Sequence, residues 1–95
     1  MSAASPHVMV DDGRIRVTRW HFEAGASTGM HTHEFDYVVV PITGGNFTIT
    51  QSDDSTVAML QVPGESYSRS VGVTHDVTNA GHEVAVFVEI ELLTK

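Results

Sequence analysis

GASTGMHTHEFDYVVVPITG, residues Gly25 to Gly44, decides how the rest of the chain is read. Along a β-strand, residues i and i+2 project from the same face, so His31 and His33 stand side by side. If that face is interior, Phe35, Tyr37 and Val39 share it, while Glu34 and Asp36 point outward. This is the alternation of a half-buried strand, and it sets two imidazoles on the apolar side. Buried imidazoles need partners for both ring nitrogens, and two on one face are hard to satisfy without a cation. A third histidine, His75, opens another β-rich run after a glycine-containing loop. From periodicity alone two readings stand. One is a site for a divalent first-row metal with positions left for water or substrate; the other is a set of polar histidines satisfied by protein groups.

The flanking sequence repeats the same short-strand pattern. HVMV meets the turn DDG, and RIRVTRWHF follows as a hairpin partner. HTHEFDYVVVPI reads as one long strand, TGGN as a tight hairpin turn, and NFTITQS as the returning strand. DDS then turns the chain into TVAMLQV; PGESYSRSVGVT is irregular; HDVTN, the turn AGH and EVAVFVEIELL complete the chain. No helical period is sustained, which predicts an all-β protein of about eight short antiparallel strands in a sandwich or barrel. Pro41 and Pro63 fall at strand ends, where a missing N–H does least harm. The DDG and DDS pairs read as turns, since no calcium-ligand series follows them.

Composition narrows the chemistry. Ninety-five residues, 41% hydrophobic and 18% charged, predict one globular domain over residues 1–95. The chain has no cysteine, so a transition metal must be held by nitrogen and oxygen. Five basic against twelve acidic residues argue against nucleic acid and against anionic membranes. MSAASPHVMV lacks the features of a secretory signal, and the longest apolar run, VAVFV, is far too short to span a bilayer. A cytoplasmic location is expected. The HVMV and VAVFVEIELL runs carry no internal proline or lysine to blunt an edge, which predicts pairing between subunits in a homodimer.

Two spaced motifs resemble those of the cupin superfamily. The first, G-x5-H-x-H-x(3,4)-E-x6-G, is matched by Gly25, His31, His33 and Gly44, with Tyr37 where the glutamate belongs. The second, G-x5-P-x-G-x2-H-x3-N, is matched over residues 64–79 by Gly64, Gly72, His75 and Asn79, with Ser70 in place of proline. Nineteen residues lie between them, room for a hairpin. The resemblance implies a jelly-roll barrel, or double-stranded β-helix, whose His31, His33 and His75 bind a divalent metal inside: Fe, Zn, Ni or Mn. The run HEFDYVVVP is also similar to short cupins of β-alanine degradation.

Tyr37 is the informative departure. A phenol reaches farther than a carboxylate from the same backbone position, past the ion, where it would donate to a bound water or substrate oxygen. Phenolate ligation is the second reading, because a cation lowers a phenol pKa; packing alone is the third. Without the glutamate, three neutral histidines leave the ion at +2, which favours a small anionic or chelating ligand. The resemblance therefore implies a dioxygenase-like enzyme with Tyr37 as a catalytic proton donor; the alternative is a non-catalytic small-molecule binder anchored by the metal. Phe47 and Ile49 read as core or pocket wall, Arg69 as a surface arginine or a carboxylate contact, and Glu89 and Glu91, which share a face with Phe87, as a solvated face or, if that face turns inward, a carboxylate in place of the missing ligand. His7, His21 and His82 lie outside the motifs.

Overall fold

The computed structural model describes residues 2–93, which form nine strands and no helix. In chain order they are β1 (Ser5–Asp11), β2 (Ile15–Phe22), β3 (His31–Thr32), β4 (Tyr37–Pro41), β5 (Gly45–Gln51), β6 (Thr56–Gln61), β7 (Tyr67–Arg69), β8 (Thr74–Asn79) and β9 (Ala85–Leu92). A five-stranded sheet, β1-β2-β9-β4-β7, faces a four-stranded sheet, β3-β8-β5-β6. All strand pairs are antiparallel. From β3 onward the chain passes between the sheets at every step except the β5–β6 hairpin, the winding of a double-stranded β-helix.

Those crossings correct two expectations. HTHEFDYVVVPI is not one strand: β3 stops at Thr32 and β4 begins at Tyr37 in the opposite sheet. The corner between them is pinned by the Asp36 carboxylate, which accepts the Val71 amide at 2.7 Å, and by the Asp36 carbonyl, which accepts that of Leu92. TGGN is likewise no hairpin, because β4 pairs with β7 and β9 while β5 pairs with β6 and β8. Gly44 and Gly45, at φ 73° and 135°, instead turn the chain from one sheet to the other. A Cβ on Gly44 would lie 2.7 Å from the Gln61 carbonyl oxygen and from Pro63 Cδ, so only glycine fits this crossing. The irregular segment also contains a strand, β7, and the C-terminal run is no edge: β9 lies between β2 and β4.

One end of the sandwich is sealed. Phe22, Phe47 and Phe87 meet with ring centroids 5.3–5.8 Å apart, drawing together β2, β5 and β9. Beside them Asn79, 2% exposed, donates its amide to the carbonyls of Phe22, Glu23 and Glu83 and accepts from the Gly81 amide. The last residue of the second motif therefore closes the barrel's far end and takes no part in the centre. Along β8 the inward positions run His75, Val77, Asn79, from open end to closed end.

Candidate metal centre

His31 and His75 are Cα partners across β3 and β8, which aligns their imidazoles on the inner face. His33 lies just beyond β3 and is pinned to the segment preceding β8. Its amide donates to the Val73 carbonyl and its carbonyl accepts the Gly72 amide, both at 2.9 Å. The structure thus brings the three histidines together: His33 Nε2 is 3.1 Å from His31 Nε2 and 3.1 Å from His75 Nε2. Three nitrogens held about 2.0–2.1 Å from one ion, at angles of about 90–109°, stand about 2.8–3.4 Å apart. The two spacings from His33 fall in that range, and all three ligand atoms lie within 4.8 Å of one another.

Proton positions fit a cation as well. His31 Nδ1 lies 2.8 Å from the Gly29 carbonyl, which only accepts, so Nδ1 carries the proton and Nε2 turns a lone pair inward. Burial, reinforced by the neighbouring histidines and, for His75, by Arg69, lowers His33 and His75 to about 4. Both rings are therefore neutral at pH 7. A neutral His33 has at most one proton at Nε2 and cannot bond to both neighbours, whereas one cation satisfies all three lone pairs. Among the described residues this cluster contains no carboxylate.

Tyr37 stacks on His33, ring centroids 3.8 Å apart and planes 18° from parallel, so it braces the imidazole face. The residue is 3% exposed and its hydroxyl has no hydrogen-bond partner among the described residues. Burial first, then the Glu89 carboxylate, pushes its ionisation up from the usual phenol value, which keeps the O–H as a donor. Because that hydroxyl is buried and unpaired, Tyr37→Phe should leave the metal-free fold as stable or up to about 1 kcal/mol more stable. Metal affinity should change by no more than the roughly 10- to 100-fold of outer contacts. Thermal melts and metal titration calorimetry read both quantities; complete loss of metal binding would make Tyr37 a phenolate ligand instead.

Around the histidines the two sheets part to enclose a cavity of about 850 Å³. The four-stranded sheet contributes an apolar wall of Ile49, Met59 and Val77. Across it the five-stranded sheet presents two polar rows. Strand register sets Arg16, Glu91, Tyr37 and Arg69 in one, and Thr18, Glu89, Val39 and Tyr67 in the next, deeper one. Arg16 donates to Glu91 at 3.3 Å, and Arg69 lies over the Tyr67 ring at 4.6 Å from its centroid. Glu89 and Glu91 are thus not a solvated face. Burial, with Glu91 the next cause, pushes Glu89 up to about 7.

No protein-family model matches the chain. Over 94% of its length, however, the chain is 45% identical to the β-alanine degradation protein BauB of Pseudomonas aeruginosa, covering 93% of that protein. It superposes on the crystal structure of a cupin domain from Bordetella pertussis with a TM-score of 0.92, at 42% identity, covering 96% of this chain and 94% of that one. The chain is a cupin. A cupin superfamily protein from Desulfitobacterium hafniense, 16% identical with a TM-score of 0.73, covers 96% of this chain and 78% of its own and shares the fold. This cupin carries its motif histidines in one cluster and a tyrosine stacked against them, in the place of the motif glutamate.

Proposed function

We propose that this cupin holds a divalent transition metal (Fe, Zn, Ni or Mn) through His31, His33 and His75 and acts as a dioxygenase-like enzyme on a small anionic metabolite. The observation that carries the reading is the paired 3.1 Å spacing of three imidazole nitrogens inside a cavity. Bound there, the ion would supply Lewis-acid polarisation of a ligand oxygen. Three neutral ligands leave its full +2 charge, which together with Arg16 and Arg69 at the rim recruits a carboxylate or enolate. Tyr37 holds its proton toward the reacting oxygen, and Ile49, Met59 and Val77 keep water from one flank. The name of the Pseudomonas relative directs the search toward short carboxylates related to β-alanine. The test is oxygen uptake by anaerobically reconstituted Fe(II) protein offered such carboxylates. Ligand-dependent uptake that Tyr37→Phe slows supports the reading; saturable carboxylate binding without uptake would make the protein a binder rather than an enzyme.

The working form is proposed to be a homodimer. Every residue of β1 is exposed, including Val8, Met9 and Val10, and among the described residues its outer edge has no strand beside it. The same sheet turns Val17, Val38, Val40, Val86, Val88 and Ile90, all half-buried, away from the cavity. A second copy of the chain, continuing the sheet from β1 and covering those six side chains, would remove both liabilities. Sedimentation at micromolar concentration should show twice the 10.3 kDa chain mass; a monomer would refute it.

A further inference from the structure

Glu89 sits in the cavity with no ion-pair partner among the described residues, whereas Glu91, two positions along β9, is engaged by Arg16. It is a half-buried carboxyl on the inner face, one row deeper than the rim. Its cross-strand neighbours, Thr18 and Val39, carry no charge, and the aromatic rings of Trp20, Tyr37, Tyr67 and Phe87 line the same space. A buried carboxyl without a partner is costly, and an aromatic surround suits a cation.

Unpaired donors in the same cavity ask for the opposite kind of group. Trp20 Nε1–H and the Tyr37 hydroxyl are buried without acceptors among the described residues. Tyr67 accepts from Gln61 Nε2 at 2.9 Å, which leaves its own O–H free to donate. One ligand would have to bring acceptor oxygens to these donors and to the histidine centre, and a donor to Glu89. A plain monocarboxylate would leave Glu89 unpartnered. A dicarboxylate would set a second negative charge against it.

We propose that Glu89 is an anchoring point for an ammonium group, so that the cavity takes a short amino acid with its carboxylate toward the histidines. The proposal rests on the metal-anchored reading above and specifies its ligand class. Sheets packed roughly 10 Å apart give a chain of a few carbons room to reach both ends.

Calorimetry on Zn(II)-loaded protein, which binds without turnover, tests it with β-alanine against propanoate and 4-aminobutanoate against butanoate. At least one amino acid should bind at least about tenfold more tightly than its amine-free match. Glu89→Gln should erase that preference while leaving propanoate and butanoate binding within about threefold. In the parent protein, repeating the titration in buffers of different ionisation enthalpy should show protons released on amino-acid binding, over the pH range in which Glu89 is partly protonated, and none for the plain acids. Equal affinities for amino acids and plain acids, a preference that survives in Glu89→Gln, or no difference in proton release would overturn the ammonium site alone. If none of the four ligands binds, the metal-anchored reading fails and the ammonium site fails with it.

Discussion

His33→Ala strips the protein of divalent metal, lowering affinity for Zn(II) or Ni(II) by well over about 100-fold, beyond the range of outer-contact changes. His33 is the middle of the cluster: its Nε2 is the one atom within 3.1 Å of both other imidazole nitrogens. Removing it leaves two imidazoles, packed edge to face with ring centroids 4.8 Å apart, that no longer define a three-nitrogen face for one ion. The fold should survive. The strand pairing of β3 with β8 and the backbone bonds of residue 33 to Gly72 and Val73 do not depend on the side chain. His82→Ala, an exposed histidine away from the cluster, should bind as the parent does. Metal analysis and calorimetric titration of the three proteins decide the matter; His33→Ala binding within tenfold of the parent would dissolve the proposed centre.

The second large effect is on stability, and its sign runs against the usual acidic residue. Glu89 is raised from 4.5 to about 7 by burial and by Glu91. Below about pH 4.5 both folded and unfolded chains keep the proton and the group contributes no pH dependence. Between about 4.5 and 7 the unfolded chain loses it first, so native stability falls as pH rises, and the loss is complete above about 7. In metal-free protein Glu89→Gln should therefore be more stable than the parent by about 1–3 kcal/mol at pH 8, a Tm gain of roughly 5 °C or more for a domain this size. At pH 4.5 the two should melt nearly together. His33 and His75 titrate with the opposite sign, losing stability as pH falls from about 6.5 toward about 4, but they are common to both proteins and cancel in the difference. A Glu89→Gln melt that tracks the parent across this range would show that the carboxyl is as well solvated as in the unfolded chain.

The histidine cluster was legible because its two signals are local. One-residue spacing fixes a shared face for His31 and His33, and the glycine-framed segment before β8 delivers His75 opposite. The same periodicity concealed the break at Asp36. Alternation of inward and outward residues continues through the corner, with His33 and Tyr37 both inward, so period two is blind to the change of sheet. Gly44 and Gly45 misled for a related reason, since positive φ serves a sheet crossing as well as a hairpin. Which way Glu89 faces stayed open because β9 is apolar on both faces. Ala85 and Phe87 point in while Val86, Val88 and Ile90 point out, so polarity could not say which side the glutamates joined. The Phe87 phase was the available clue.

The cavity's two walls are made by different sheets, and their tasks divide along that line. The imidazoles come from the β3–β8 side, and the groups that would grip an organic ligand, Glu89, Tyr67, Arg69 and Trp20, come from the five-stranded sheet. Tyr37, lying flat on His33, joins the two. Positions 18, 20, 67 and 89 on β2, β7 and β9 can therefore be redrawn without replacing an imidazole or a ring of the phenylalanine cluster, whereas Arg69 acts on His75. A library confined to residues 18, 20, 67 and 89 would explore new ligand preferences over a constant metal centre, which makes this small barrel a two-part scaffold with separately adjustable halves.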